Sequence, residues 1–166
     1  FPRVAGPLWG LPQDAHAGRS GLSETMAPGN IANLALSGEI AFRVRFAEVP
    51  PPRGRLYWRG PVLENYDGKT WRPQPGRLRP PQVEALSPAL AYETTLEPHQ
   101  QRWLLALDAP GALPANLTLE NTLTATSRVP ITQRQRFSLT AILDYRFNRE
   151  EDQFVLRRNL ALPAEA

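Results

Sequence analysis

The sequence contains no cysteine among its 166 residues. A disulfide framework, a thiolate metal site and a cysteine nucleophile are therefore excluded within this chain. Histidine is almost as scarce, since only His16 and His99 are present. Two distant histidines without cysteine do not supply the three or four ligands of a zinc site at their usual spacing.

Neither histidine has the surroundings of a catalytic base. His16 lies in the Gly- and Ala-rich stretch DAHAGRS, and His99 follows Pro98 between two predicted strands. A nucleophilic triad needs a base within hydrogen-bond reach of its nucleophile, and no strained Gly-x-Ser-x-Gly turn lies near either residue. We expect both histidines to face solvent or to make local hydrogen bonds.

Long apolar runs are also absent. No stretch approaches the roughly 20 apolar residues needed to span a bilayer, and no signal peptide is visible. Because the first residue is Phe1 rather than methionine, we expect that the chain was cut from a longer protein.

Lysine is nearly missing, since Lys69 is the single lysine among 19 basic residues. The formal net charge is a modest +3, and the arginines are scattered along the chain. Nucleic-acid binding requires a basic stripe joined to a recognisable motif, so nucleic acid is not expected as a partner. The pairs Arg43/Arg45 and Arg134/Arg136 sit at alternate positions, which is typical of the solvent-facing side of a strand.

Proline (18 residues) and glycine (11 residues), by contrast, are abundant. They favour turns and short strands over long helices. Apolar and polar residues alternate in several segments, and this period of two predicts strands. The predicted strands cover 39–46, 56–59, 62–66, 90–97, 102–108 (apolar throughout and buried on both faces), 116–126, 135–147 and a last strand with Phe154, Leu156 and Leu160. The proline-rich segment 73–89 is predicted to be a loop.

Seven to eight short strands without a long helix indicate an all-β fold. We predict an antiparallel β-sandwich, with an open β-barrel as the alternative. Three parts are expected along the chain. They are an irregular segment at 1–38 with one short helical turn near 30–36, a β-sandwich domain at 39–160, and a linker at 161–166.

The stretch YWRGPVLENYDGKTWRP (57–73) places four aromatic rings around an Asp67-Gly68 pair. Asp-Gly between β-forming residues is a strong hairpin signal, because both residues tolerate positive φ. We therefore predict a hairpin that turns at Asp67-Gly68.

Two interpretations of these rings remain open. In the first, Trp58 and Trp71 fill the sandwich core, while Tyr57 and Tyr66 are half-exposed. In the second, rings and guanidinium groups stack on a ligand. The residues of that candidate binding surface are Trp58, Arg59, Tyr66 and Trp71.

Paired carboxylates suffice for a glycosidase, so the acidic residues of the hairpin form a further candidate site. Glu64 and Asp67 flank the turn, and residues 150–152 are an acidic run. Turn chemistry alone explains Asp67, Glu64 fits a surface position on a strand, and the acidic run fits a solvated turn. A hydrolase that uses Glu64 or Asp67 is therefore one functional hypothesis, and it ranks third after the two given below.

Several blocks of the sequence, taken together and in order, resemble one family. They are GPLWGLPQDAHAGRSGLSETMAPGNIANLALSGEIAFRVRF, YWRGPVLENYDGKTWRP, YETTLEPHQQRWLLALDAP and RFSLTAILDYRFN. The chain is similar over nearly its whole length to the extracytoplasmic region of bacterial TgpA-type, membrane-anchored transglutaminase-like proteins.

The resemblance implies a layout for the parent protein. Transmembrane helices come first, a periplasmic β-rich domain follows, and a papain-like core with a Cys-His-Asp triad comes after it. This chain resembles only the β-rich portion. Because it has no cysteine, no catalytic residue of the family transfers to any position here, and no cofactor or metal is expected.

The leading hypothesis is thus a non-catalytic domain on the periplasmic side of the bacterial inner membrane. Its expected partners are the catalytic transglutaminase-like domain of the same polypeptide, the membrane through flanking helices, and a cell-envelope protein or peptidoglycan. It would position the catalytic core or contact protein or substrate. The second hypothesis is a binding module for cell-wall glycan or peptide.

Overall fold

The computed structural model describes Met26 and residues 40–74, 81–150 and 153–161, except for the side chains of Phe154 and Arg158. Apart from Met26, the predicted irregular segment with its helical turn lies outside these residues, as does most of the predicted linker. A 3-10 turn covers Arg53–Arg55, and helix α1 covers Gln153–Asn159. The strands of this part are β1 (Phe42–Phe46), β2 (Trp58–Arg59), β3 (Asn65–Tyr66), β4 (Trp71–Arg72), β5 (Val83–Ala85), β6 (Leu90–Leu96), β7 (Trp103–Leu104), β8 (Ala106–Leu107), β9 (Ala109–Pro110), β10 (Leu117–Leu119), β11 (Ala125–Ser127), β12 (Gln135–Ile142) and β13 (Tyr145–Phe147).

The largest sheet has four antiparallel strands in the order β1-β6-β12-β9. Tyr92 of β6 pairs with Phe46 on one side and with Leu139 on the other. Residues two apart point to the same face of a sheet, so the alternation in the sequence produces one apolar and one polar face. Tyr92 and Leu139 are buried, whereas Arg43 and Arg136 are exposed on the opposite face.

Shorter strands form the layer that packs against this sheet. One sheet has the order β10-β11-β7, and β2 pairs with β8 in another. Trp103, Leu104, Ala106 and Leu107 are all buried. The apolar part of the segment 102–108 is thus mostly buried as predicted, although Arg102 is exposed and the segment is divided between β7 and β8. The core joins both layers through Tyr92, Leu96, Leu104, Ala106, Leu107, Leu117, Ala125, Ile131, Phe137, Leu139 and Ala141.

Two small sheets lie outside this arrangement, β13 with β5 and β3 with β4. The first corrects the predicted loop at 73–89, since Val83–Ala85 forms β5 and pairs with β13. The backbone N–H groups of Leu86 and Ser87 donate to the carbonyl oxygen of Asp144, which holds this strand in place. Three strand residues between prolines are too few for a period of two to be visible.

Two segments that were each predicted as one strand contain two strands in the structure. Residues 116–126 form the hairpin of β10 and β11, in which Leu119 pairs with Ala125. The chain reverses at Glu120, whose N–H donates to the carbonyl of Thr124, and Leu123 adopts φ 66°. Because Leu119 and Ala125 lie on the same face, the apolar alternation continues across the reversal and conceals it.

The predicted strand at 135–147 likewise breaks. β12 ends at Ile142, and β13 begins at Tyr145 in another sheet. The break is fixed by Asp144, whose N–H donates to Ser87 Oγ at 3.2 Å and whose carboxylate accepts from Arg55 at 2.8 Å. These are contacts with distant segments, which local alternation does not report.

The predicted last strand is wrong, because residues 153–159 form helix α1. Leu160 N–H donates to the carbonyl of Leu156 at 3.1 Å, which is a helical i to i+4 bond. The spacing of these two leucines fits a helix face as well as it fits a strand. At the other end, Ile40 precedes β1 and is exposed rather than on the apolar face.

The predicted fold class is confirmed as an all-β antiparallel sandwich. Among the residues that the structure describes, the strands are thirteen because several have only two or three residues, and no sheet closes into a barrel. No helix in the same residues is long and apolar enough to cross a membrane.

Candidate functional site

The Asp67-Gly68 turn joins β3 and β4 as the sequence predicts. Asp67 Oδ1 accepts hydrogen bonds from the backbone N–H of Lys69 at 3.0 Å and of Thr70 at 2.7 Å. Its other oxygen forms an ion pair with Arg72. The backbone bonds of Thr70 and Lys69, and then the Arg72 guanidinium, lower the pKa of Asp67 to about 2. Turn chemistry therefore accounts for this carboxylate, which is not a source of protons at neutral pH.

The hairpin carries a stacked aromatic pair. The rings of Tyr66 and Trp71 lie 4.8 Å apart at 22°. The hydroxyl of Tyr66 donates to the carbonyl of Gly68 at 2.7 Å, which fixes this ring. Trp71 is 37% exposed. Met26, which is 41% exposed, exchanges two backbone hydrogen bonds with Trp71 across the other edge of β4. We call Met26, Tyr66 and Trp71 the hairpin aromatic surface.

Trp58 has a different environment. β2 pairs with β8, so Trp58 lies opposite Leu107 in the second layer of the sandwich. Its ring makes edge contacts with Phe42 at 5.1 Å and with Tyr92 at 5.9 Å between centroids. It is partly buried against the core. Its neighbour Tyr57 points outward and is exposed.

Arg59 is held by contacts within the chain. Its Nε donates to the carbonyl of Asp108 at 3.1 Å, and its Nη2 donates to the hydroxyl of Tyr145 at 3.3 Å. That hydroxyl donates in turn to Asp108 Oδ1 at 2.8 Å. Burial, followed by the Asp108 carboxylate, raises the pKa of Tyr145. The Arg59 guanidinium also lies 5.1 Å from the centre of the Tyr57 ring.

The structure thus separates the four residues of the candidate binding surface into two groups. Trp58 and Arg59 belong to the second layer of the sandwich, and Tyr66 and Trp71 belong to the separate hairpin. The core interpretation holds for Trp58, whereas Trp71 is exposed instead of filling the core. Met26 had no signal in the sequence, because one backbone bridge leaves no periodic pattern.

The remaining candidates from the sequence are also in structural contacts. His99 is buried, stacks on Trp103 at 5.0 Å, and accepts a hydrogen bond at Nδ1 from the N–H of Gln101 at 3.2 Å. The expected local hydrogen bond is confirmed, but the side chain does not face solvent, and burial lowers its pKa. Glu64 Oε1 accepts from Asn159 Nδ2 at 3.4 Å. His16 lies outside the described residues.

Metal binding finds no support in the part of the chain that the structure covers. Within Met26, 40–74, 81–150 and 153–161, no three side chains of His, Asp or Glu are placed to hold a metal ion. The polar network that sequence reasoning missed is Arg59–Asp108–Tyr145. Its members come from three strand ends far apart in sequence, so no local motif marks it.

These features define an all-β domain, with an antiparallel sandwich and several polar side chains engaged in structural contacts. The sequence profile of the TgpA N-terminal domain matches residues 1–148. The chain belongs to the TgpA N-terminal domain family. The resemblance of the quoted sequence blocks and the expected periplasmic location are confirmed by this match and by the relatives below.

One curated relative is a protein-glutamine gamma-glutamyltransferase of Pseudomonas aeruginosa, 38% identical over 165 residues. The match covers 98% of this chain and 25% of that protein. A crystal structure of the periplasmic domain of TgpA from Pseudomonas aeruginosa bound to ethylmercury has a TM-score of 0.79 and 36% identity over 86% of this chain. A second crystal structure of that domain has a TM-score of 0.77 and 34% identity over 87% of this chain. The chain spans 51% of each solved chain.

Proposed function

We propose that this chain is a non-catalytic periplasmic domain of a membrane-bound transglutaminase-like protein, whose papain-like Cys-His-Asp core lies elsewhere in the polypeptide. The domain positions that core or contacts its protein substrate. The family match carries the proposal, together with the curated relative, which is a protein-glutamine gamma-glutamyltransferase about four times as long as the matched region. The absence of cysteine from the sequence agrees with it.

The state of the ionisable side chains supports a non-catalytic role. Asp67 is bonded to its own turn, and His99 is packed against Trp103. A general acid or base works best with a pKa near the operating pH and with access to its substrate. The pKa of Asp67, lowered to about 2, does not meet the first requirement, and the burial of His99 does not meet the second.

The test compares the 166-residue chain with the complete parent protein. Each is incubated with a glutamine-containing protein and a fluorescent primary amine, and amine incorporation is measured. We expect incorporation by the parent and none by the isolated chain. The matched control is the parent with its predicted nucleophilic cysteine replaced by alanine. Incorporation by the isolated chain, with no contaminating enzyme, would contradict the proposal.

The positioning role is tested within the parent. Replacing residues 40–150 by a flexible Gly/Ser linker should lower incorporation into a protein substrate much more than incorporation into a short glutamine peptide. A peptide diffuses freely to the core, whereas a protein substrate depends on the height and orientation of the core. Equal activity on both substrates, with normal expression of the linker variant, would exclude a positioning role.

One observation favours a second function, the binding of cell-wall glycan or peptide. The hairpin aromatic surface presents an exposed Trp71 supported by Tyr66, and exposed rings of this kind can stack on a ligand. The protein with Trp9, Trp58 and Trp103 replaced by Phe has fluorescence from Trp71 alone. Peptidoglycan fragments should protect this fluorescence from acrylamide quenching. In the control, Trp58 is the single tryptophan, and the fragments should change nothing.

A further inference from the structure

The outer face of the four-stranded sheet concentrates positive charge. β6 lies between β1 and β12 and places Glu93 on this face, and Glu97 follows directly after the strand. β1 contributes two arginines, and β12 with the residue before it contributes two more. We call this set the arginine face. It consists of Arg43, Arg45, Arg134 and Arg136 with Glu93 and Glu97.

The two carboxylates of this face are each shared between two arginines. Glu97 contacts Arg43 at 2.6 Å and Arg134 at 3.0 Å. Glu93 Oε1 lies 3.6 Å from Arg45 Nη2 and 3.6 Å from Arg136 Nε. Four cations over two anions leave two positive charges uncompensated. Other ion pairs among the described residues are one to one, namely Arg55–Asp144, Arg59–Asp108, Arg72–Asp67 and Arg146–Glu84.

The geometry places the excess charge outward. The four arginine side chains are 53% to 81% exposed, whereas Glu93 and Glu97 are 25% and 21% exposed. The carboxylates thus form the base of the face, and the guanidinium groups rise above them. The residues between them on this face are small, such as Thr95 and Ser138, and do not cover the charges.

The face is broad and flat rather than a deep cleft. β1 and β12 are separated by one strand, so their two arginine rows run about 10 Å apart. A shallow groove of about 550 Å³ opens beside Arg45 and Glu93, with Ala91, Ser138 and Thr140 in its lining. Guanidinium groups donate in a fork that matches phosphate oxygens. A planar array of phosphates therefore complements this surface better than a single small anion does.

We propose that the arginine face binds the anionic phosphate headgroups of a phospholipid bilayer and so orients the domain on the membrane surface. The inference rests on the proposed membrane-bound parent, which keeps the domain close to a bilayer. Location and charge complementarity favour a lipid surface over other polyanions. Exposed charges are screened within about 10 Å at 0.1 M salt, so the contact must be close and salt-sensitive.

The test measures sedimentation of the 166-residue chain with large vesicles of phosphatidylcholine that contain or lack phosphatidylglycerol. We expect binding to the anionic vesicles, weak binding to the neutral ones, and release as the NaCl concentration rises from 50 to 300 mM. Each arginine near an anionic surface contributes roughly fivefold in affinity. Arg45→Gln with Arg136→Gln should therefore reduce binding at least tenfold.

A variant with the opposite sign separates loss of charge from loss of fold. Glu93→Gln adds one net positive charge to the same face and should increase binding severalfold. The matched control is Arg55→Gln with Arg146→Gln, which removes two exposed, ion-paired arginines outside the face. It should bind like the unaltered chain or lose at most about twofold.

Three results would overturn the proposal. They are equal binding to neutral and anionic vesicles, no effect of the Arg45 and Arg136 changes, and an equal loss in the control. The second is expected if an acidic protein surface occupies this face. Vesicle binding does not depend on acyl transfer, so its failure leaves the amine-incorporation test unaffected, and the reverse also holds.

Discussion

Trp58→Ala and Trp71→Ala should have very different costs, although both residues lie in the same 17-residue stretch. Trp58 contacts the rings of Phe42 and Tyr92 and packs against the core. Truncation of a buried tryptophan to alanine costs about 3–5 kcal/mol. Because Trp58 is only partly buried, we expect a value near the lower limit, about 3 kcal/mol. Trp71 is 37% exposed and stacks on Tyr66, so its loss should cost about 1 kcal/mol.

Urea unfolding monitored by circular dichroism measures this difference without relying on tryptophan fluorescence. For a slope of about 2 kcal/mol per molar urea, a difference of about 2 kcal/mol separates the two midpoints by about 1 M. The single variants Trp58→Phe and Trp71→Phe are controls that keep an aromatic ring. A loss for Trp71→Ala as large as that for Trp58→Ala would refute the assignment of Trp58 to the core and of Trp71 to the surface.

Four further outcomes are expected. Burial lowers the pKa of His99 below its usual 6.5, so the unfolded chain binds more protons than the folded chain does as the pH falls. Urea unfolding should therefore show that the free energy of unfolding decreases as the pH drops from 7.5 to 5.5. His99→Gln should remove most of this decrease. Tyr92→Phe leaves the buried N–H of Leu107 without its acceptor and should cost about 1–3 kcal/mol by the same assay. Burial raises the pKa of Tyr92 to about 12, so absorbance at 295 nm should show an ionisation near pH 12 that is missing in Tyr92→Phe. Thermal midpoints should decrease from the unaltered chain to Asp67→Asn, which loses the ion pair, and further to Asp67→Ala, which also loses the turn acceptor.

The alternation of apolar and polar residues predicts the large sheet, because each of its long strands has one buried face and one solvent-exposed face. Phe137 and Leu139 are buried and Arg136 is exposed, as a period of two requires. The Asp67-Gly68 turn is also predicted by the sequence, because glycine favours the positive φ that this turn requires, and Gly68 adopts φ 96°. In these elements the deciding interactions are local or repeat along one strand.

The two strands that were predicted too long share one physical origin, which is that long-range pairing decides where a segment goes. β11 continues the apolar phase of β10 after a reversal, and β13 continues that of β12 after a change of sheet. The candidate site shows the same limit. Trp58 and Trp71 have similar local sequences, Tyr-Trp-Arg and Thr-Trp-Arg. Only the pairing of β2 with β8 and of β3 with β4 separates them.

The two proposed binding surfaces should respond differently to salt. The arginine face acts through exposed charges, whose attraction weakens as the Debye length falls from about 10 Å at 0.1 M to about 3 Å at 1 M salt. The hairpin aromatic surface acts through apolar contact of Trp71 and Tyr66, which added salt does not screen. An interaction that persists in high salt and is lost in Trp71→Ala therefore uses the hairpin. One that is lost in high salt and strengthened in Glu93→Gln uses the sheet.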